Sequence, residues 1–439
     1  MTTTVLFVHH ANDMYGADIG LLHSLSSLDR EQYYPVVLLP ADMVTGPLSE
    51  ELSRRNIEYH FVPLGILRRK YLRFPSIFRL GIDFARGVLS VRSLVRKKNA
   101  KLVYANTFVT VSGALGARLA GVPVLWHIRE IVTMPRPIRV CLYWALKACA
   151  THIVCVSKAV RDALLREAPE LEPKTVVLYN AVSLERSGSD DSGERPIREE
   201  LDIHKDQLIV GMVGRITHWK GQDILVDAAA TVLKDYPDVH FVAVGNHFAG
   251  EIHYVNALKA RIDELGIASR FHLLGYRTNV AKVYESFDIA VLPSKKPEPF
   301  GRVTVEAMMS GRPVIGTAHG GTPELIQNAV TGLLVPPGDP VHLADAIQKL
   351  LADKALRLSL GEHAAVYAKE TFSLSGYKET MSSLVENLIS CKDLAFNHGL
   401  DCEAHRQDSA RSKNRQVVKV ACPEGADRCV TLLKDDAAR

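Results

Sequence analysis

Residues Ile289 to Met308 read IAVLPSKKPEPFGRVTVEAM: a short apolar run, a Pro-rich turn and the first turns of a helix. A buried strand that hands over to a helix within a few residues is the unit of a parallel sheet wrapped by helices. Two carboxylates stand eight positions apart in this stretch, Glu298 in the turn and Glu306 in the helical part. Such a turn can aim side chains and free backbone N–H groups at one small ligand, because helix-start donors have no partner inside the helix and attract anions and hydroxyls. Read alone, the pair is also compatible with two solvated glutamates beside an ordinary connection, so the rest of the chain must decide.

The same strand-then-helix unit recurs on both sides. Downstream, strands are expected at Pro313 to Gly316 and Leu333 to Val335; upstream, at Leu208 to Val213, Val239 to Val244 and Phe271 to Leu274. The helix from Gln222 carries Ile224, Leu225, Ala228, Ala229, Val232 and Leu233 at helical spacing. The first half repeats the pattern with Val5 to Val8, Pro35 to Leu39, Lys101 to Tyr104, Val122 to Trp126, Ile153 to Val156 and Val176 to Leu178. Between the halves, Leu184 to Glu200 loses apolar periodicity and fills with Ser, Gly and charges, which marks a linker. The expected layout is an α/β domain over 1–190, a linker over 191–206, a second α/β domain over 207–372 and a closing helix over 373–390. Val341 to Leu351 and Ser373 to Ile389 read as helices, and 391–439 reads as a polar, aperiodic, mobile tail. Cys402, His405, Cys422 and Cys429 in that tail lack the paired spacing of a zinc site.

Length and composition fit that layout: 439 residues, 47% hydrophobic and 23% charged, suffice for two cores of ordinary size. The run without charge from Leu102 to Ala117 is broken by Asn106, Thr107, Thr110, Ser112 and Gly113, too polar to span a bilayer. Thr2 to Thr4 lead straight into a strand with no basic segment, so no signal peptide is expected and the cytoplasm is the expected location. Seven cysteines without regular spacing suit a reducing compartment, with Cys141, Cys149 and Cys155 in apolar surroundings and expected to act as small hydrophobes. Net charge is only +4, yet Leu64 to Lys101 holds eleven Lys or Arg against one acid, Asp83. Basic residues alternate there with Leu67, Tyr71, Leu72, Phe74 and Phe78, a combination that suits a peripheral contact with an anionic membrane and equally a solvated helix face. Nucleic acid is disfavoured, because no helix-turn-helix, zinc finger or aromatic RNA-binding motif accompanies the charge.

Four further sites stand where open α/β sheets bind ligands, at strand carboxyl ends. Gly214-Arg215-Ile216-Thr217-His218-Trp219-Lys220-Gly221 follows one strand, and two fixed cations, Arg215 and Lys220, could clamp a diphosphate. Gly211 to Gly214 lacks the third glycine of a dinucleotide fingerprint, and no Gly-Lys-Ser/Thr phosphate loop occurs. Gly320-Gly321 opens another helix, where glycines permit close backbone approach to a ligand or simply a tight turn. Gly16 and Ala17 begin a helix after the first strand and are candidates to present N–H groups to a phosphate. His127 closes the strand Val124 to Trp126, a place for either a structural or a functional imidazole.

Together, Gly214-Arg215 with Lys220, the pair Glu298 and Glu306 around Phe300-Gly301, and Gly320-Gly321-Thr322-Pro323-Glu324 resemble the retaining glycosyltransferases of family four, over Val5 to about Ile389. The resemblance implies a GT-B fold, two Rossmann-like parallel-sheet domains facing across a cleft, with the last helix crossing back to the first. It implies transfer of a sugar from a nucleoside-diphosphate sugar, UDP- or GDP-linked, to a glycan or lipid-linked acceptor, with no metal and no cofactor beyond that co-substrate. Carried over by position, Arg215 and Lys220 would neutralise the leaving diphosphate and Glu306 would bind the ribose. Glu298 would hold the sugar hydroxyls with the backbone of Phe300, Gly301, Arg302 and Val303, and His127 would bond the sugar near the reacting carbon. Gly16 would contact phosphate beside Ala17, although the family's first glycine pair stands here as Tyr15-Gly16. The backbone near Tyr276 and Arg277 would read the base. The rival expectations are a non-catalytic binding subunit on the same fold and a sugar-nucleotide epimerase, separated from transfer by whether a sugar reaches an acceptor.

Overall fold

The computed structural model describes residues 2–68, 76–184, 195–247 and 250–398. Arg69 to Phe74 of the basic segment, residues 185–194 of the expected linker and the tail from 399 onward lie outside the described residues. Met1–Ile389 forms one compact unit. Its described residues form two all-parallel sheets. The first holds β1 (Thr3–Val8), β2 (Tyr33–Pro40), β3 (Glu58–Val62), β4 (Leu102–Asn106), β5 (Val124–Ile128), β6 (His152–Cys155) and β7 (Thr175–Val177), in the order β3-β2-β1-β4-β5-β6-β7. The second holds β8 (Ile209–Val213), β9 (His240–Val244), β10 (Phe271–Leu274), β11 (Ile289–Leu292), β12 (Val314–Thr317) and β13 (Gly332–Val335), in the order β10-β9-β8-β11-β12-β13.

Each central strand is covered on both faces, which is why these strands read as continuous apolar runs rather than alternating ones. In β1, Val5 and Phe7 point into one core while Leu6 and Val8 point into another. β3 escaped the sequence reading because it is an edge strand with a polar face. Glu58 there accepts from Lys98 Nζ at 2.6 Å and from the Tyr34 hydroxyl at 3.0 Å, and His60 Nε2 lies 2.7 Å from its carboxylate.

The helix Leu374–His398 returns to the first sheet: Tyr377, Met381 and Val385 are buried in one core with Val5, Phe7, Leu21 and Leu25. It runs on to His398, into a stretch expected to be aperiodic. Extending a formed helix adds one hydrogen bond per residue fixed, so it tolerates a weaker apolar pattern than nucleation does. A second correction concerns Cys141, which is exposed on the outer side of the helix Arg136–Cys149, whereas Cys149 and Cys155 are buried and burial pushes their thiols up, Cys155 to about 12.

Sheet order fixes where a ligand can sit. In each sheet the direction of strand addition reverses once, between β1 and β4 and between β8 and β11. The crevices left at those reversals, beyond the strand carboxyl ends, receive the loops His9 to Tyr15 and Gly214 to Gly221.

Candidate active site

On the second sheet the two halves of the sequence motif meet. Lys220 Nζ donates to Glu298 Oε1 at 2.7 Å, and the Ser294 hydroxyl donates to the same oxygen at 2.6 Å. Glu298 is only 4% exposed, so its charge depends on these donors. Gly221, at φ +83°, turns the chain from Lys220 into the helix Gln222–Asp235; a Cβ there would press on the Pro293 carbonyl. Glu306 lies one turn inside the helix Arg302–Met309 and accepts from Arg302 Nε at 2.7 Å.

The glycine pair supports Glu298 from behind. Gly321 N donates to the Glu298 carbonyl at 2.7 Å, and a Cβ at Gly320, φ +60°, would lie 2.5 Å from that same carbonyl oxygen. Their smallness therefore first serves backbone contact with the Glu298 turn. Phe300 is buried in an aromatic group with Tyr179 and Phe372, so its side chain packs and only its backbone is left for a ligand. Val303 gives its carbonyl to the Tyr284 hydroxyl at 2.8 Å. Tyr276 is exposed after the edge strand β10, and the Arg277 guanidinium is engaged by Glu200.

Arg215 bridges the two sheets. Its guanidinium carbon stands 3.9 Å from the ring centroid of Tyr15, and burial lowers its pKa from the ordinary arginine value. Tyr15 precedes the helix Gly16–Ser26, whose start is tied down by Asp18 Oδ2 accepting from Tyr15 N at 2.9 Å. Asp18 also accepts from His9 Nε2 at 2.8 Å, while Asn106 Nδ2 donates to His9 Nδ1 at 2.8 Å and to the Ala17 carbonyl at 3.2 Å. Gly16 and Ala17 thus begin a helix anchored from three sides.

His127 is the next-to-last residue of β5 and has no exposed surface. The Tyr104 hydroxyl lies 2.5 Å from its Nδ1, and Arg129 Nη2 lies 3.2 Å from it. Burial, then the Arg129 charge, hold its pKa well below the usual histidine range, so the ring is neutral. Its Nε2 is buried without a hydrogen-bond partner. Arg129, two residues on, donates to Asn106 Oδ1 and Asn180 Oδ1, both at 2.6 Å, and no motif in the sequence points to it.

Two contacts unforeseen from the sequence join the sheets next to the site. Glu324 caps a helix of the first sheet, accepting Lys158 N and Ala159 N at 2.7 Å each, and Ser157 donates its hydroxyl to the Pro299 carbonyl at 2.5 Å. A cavity of about 340 Å³, lined by His10, Ala17, Ile66, Arg68, Thr107 and Glu130 among others, opens at the carboxyl ends of β1 and β4. Burial raises the Glu130 carboxyl there to about 7. Among the described residues no cluster of His, Cys, Asp and Glu could hold a metal ion.

Comparison with known proteins agrees with this geometry. Residues 194–366 match the family described as glycosyl transferases group 1, and residues 22–186 match glycosyltransferase family 4. A D-inositol 3-phosphate glycosyltransferase of Corynebacterium jeikeium is 36% identical over 206 residues, 46% of this chain and 48% of that one. Matches of this kind span about half the length of the relatives. The Anabaena protein HepE, solved with UDP, superposes with a TM-score of 0.75 at 26% identity over 88% of this chain and all of that one. With UDP-glucose the same protein gives 0.73 at 25%, covering 88% of this chain and 99% of that one. With two parallel α/β sheets, one half of the chain matching glycosyltransferase family 4 and the other glycosyl transferases group 1, the chain belongs to the glycosyltransferases of GT-B fold.

Proposed function

We propose that this protein transfers a sugar, with retention of configuration and without a divalent ion, from a UDP-linked donor to a hydroxyl of a glycan or lipid-linked acceptor. The observation that carries this reading is the convergence of Lys220 and Glu298 at 2.7 Å in the crevice that also holds Arg215. Breaking the bond between the anomeric carbon and the phosphate oxygen leaves negative charge on the diphosphate, and two fixed cations stabilise it more than they stabilise the ground state. Glu298 accepts from sugar hydroxyls and steadies positive character at the anomeric carbon. Glu306 receives the ribose hydroxyls. His127, neutral, donates from Nε2 to an oxygen of the sugar. The acceptor oxygen bonds to the anomeric carbon, and its proton leaves on the departing phosphate oxygen. Binding of UDP and UDP-glucose by the Anabaena relative supports UDP over GDP as the nucleotide.

Location at an anionic membrane, and with it a role in polysaccharide or glycolipid assembly, is supported by the outer face of the first domain. Phe78, Ile82 and Leu89 are exposed on the helix Ser76–Lys97, and Val140 and Trp144 on the helix Arg136–Cys149. Both helices pack against the helix Val111–Leu119. Arg79, Arg86, Arg96 and Lys97 are exposed on the first helix, a mixture of apolar insertion and cationic attraction that suits an anionic lipid surface. Among the described residues no helix is long and apolar enough to cross a membrane.

The test is incubation with UDP-glucose and GDP-mannose, with and without membrane extract, reading released nucleoside diphosphate and the anomeric configuration of the product by NMR. Transfer with retention, unaffected by a chelator, is expected. Interconverted nucleotide sugars without transfer would establish the epimerase, binding without turnover the non-catalytic subunit, and loss of activity on chelation a metal requirement.

A further inference from the structure

The hydrogen bonds around His127 resolve its tautomer. A histidine Nδ1 beside a hydroxyl is ambiguous, because Tyr104 can either give or take the proton across their 2.5 Å contact. Arg129 removes the ambiguity. Its guanidinium has donors only, and Nη2 stands 3.2 Å from Nδ1, so Nδ1 must carry a lone pair. The Tyr104 hydroxyl therefore donates to Nδ1, and its oxygen is left to accept from Arg129 Nη2 at 3.4 Å, with Ser24 Oγ 2.9 Å away and itself donating to the Gly20 carbonyl at 2.9 Å. Ser24 in turn is 2.7 Å from the hydroxyl of Tyr377, on the helix that returns from the far end of the chain. The one proton of the neutral imidazole is then on Nε2, the atom that is buried and has no partner in the protein.

We infer that Arg129 is a positioning residue, holding His127 as an Nε2–H donor aimed at the ligand, with Tyr104 and the Ser24–Tyr377 pair orienting the ring behind it. Three observations converge. Arg129 is 8% exposed, yet none of the hydrogen bonds of its guanidinium goes to a carboxylate; that group donates to Asn106, Asn180, Tyr104, Ser24 and His127, while only the backbone N reaches the Glu130 carboxylate. A desolvated guanidinium kept among neutral acceptors is expensive to hold, which marks a use other than an ion pair. Its place is also reserved: a Cβ at Gly20 would lie 2.2 Å from Arg129 Nη1. Finally, a cation beside the ring opposes a second proton on it, so the donor stays neutral as pH falls.

The inference rests on the reading of His127 as a donor-site group, and its test separates the two. The ring nitrogens of His127 are followed by 15N NMR in full-length protein labelled at histidine, assigned with His127→Gln. Wild type should show a protonated Nε2 and an unprotonated Nδ1 from pH 8 to pH 5. Arg129→Gln should give a mixture of tautomers, raise the pKa of the ring, and lower kcat/KM by about tenfold or more while UDP affinity is unchanged. Arg129→Lys, still a cation with donors only, should restore the Nε2–H form and covers the case in which Arg129→Gln fails to fold. A protonated Nδ1 in wild type, or an unchanged tautomer in a folded Arg129→Gln protein, would overturn the inference. A tautomer that shifts as described in a protein that transfers no sugar would uphold it and defeat the functional reading.

Discussion

Lys220 Nζ stands 2.7 Å from Glu298 Oε1, so the clamp that would meet a diphosphate is held by the carboxylate that would meet the sugar. The side chains are 13% and 6% exposed, and the pair is therefore a buried one. Removing one partner of such a pair leaves the other uncompensated. Lys220→Ala should lower kcat about a hundredfold, the usual cost of losing a transition-state anchor, and should also lower the melting temperature. Adding Glu298→Gln should recover the melting temperature without activity. Recovery of turnover in the double variant, measured by nucleotide release, would remove the clamp from the mechanism.

Tyr15, just before the helix that starts at Gly16, carries the Arg215 guanidinium on its ring. A cation–π contact of this kind is worth about 0.5–2 kcal/mol. Tyr15→Ala should raise the KM for the donor about threefold to tenfold, and Tyr15→Phe should leave it near the wild-type value. Equal effects of both variants in steady-state kinetics would show that the ring face does not hold Arg215.

Glu324 caps the helix Lys158–Glu167 from the opposite sheet. Glu324→Ala removes both acceptors and should cost about 1 kcal/mol, the scale of a lost helix cap, read as a lowered urea midpoint. Because the bond joins the sheets beside the site, small-angle scattering of the variant should also report a larger radius. An unchanged radius with lowered stability would reduce Glu324 to a cap alone.

Burial lowers the pKa of several histidines, His10 to about 3, His23 to about 4 and His240 to about 4, with His127 also well below the usual range. A group whose folded pKa is depressed from 6.5 favours the fold in its neutral form, and that stability is lost as pH falls through 6.5 toward 4. Glu130, raised to about 7, acts in the opposite sense over the same interval, as one group against four. Urea midpoints should therefore fall between pH 7.5 and pH 5. A rising midpoint would contradict the neutral burial of these rings.

Vesicle sedimentation tests the basic face. Binding to vesicles of phosphatidylglycerol and phosphatidylcholine should exceed binding to phosphatidylcholine alone and weaken with salt, since exposed charges are screened within about 8 Å at physiological ionic strength. Phe78→Ser with Trp144→Ser should reduce it without changing turnover of a soluble acceptor. Equal partitioning of wild type and variant would leave this face merely solvated.

Strand positions are legible in the sequence because each buried parallel strand is a short apolar run bounded by turn residues: of the thirteen strands among the described residues, twelve lie within about two residues of the expected positions, and β3 has no counterpart there. Its edge position lets polar residues alternate through it, so no run announces it. The end of the last helix was likewise misplaced, because a formed helix continues through residues whose pattern alone would not start one.

The sequence by itself also determined the local chemistry of the site, since Arg215, Lys220, Glu298 and Glu306 sit on turns and helix starts whose geometry is set by near neighbours. Only the tertiary structure decided which of them touch. Lys220 and Glu298 are seventy-eight positions apart, and β8 and β11 become neighbours only through the reversal of strand order. Roles that depend on burial were hidden for the same reason. Arg129 reads as an ordinary surface cation until the fold closes Tyr104, Asn106 and Asn180 around it. Spacing along the chain carries no information on how much water a side chain keeps, and it is the loss of that water that turns Arg129 from a solvated charge into the group that fixes the proton on His127.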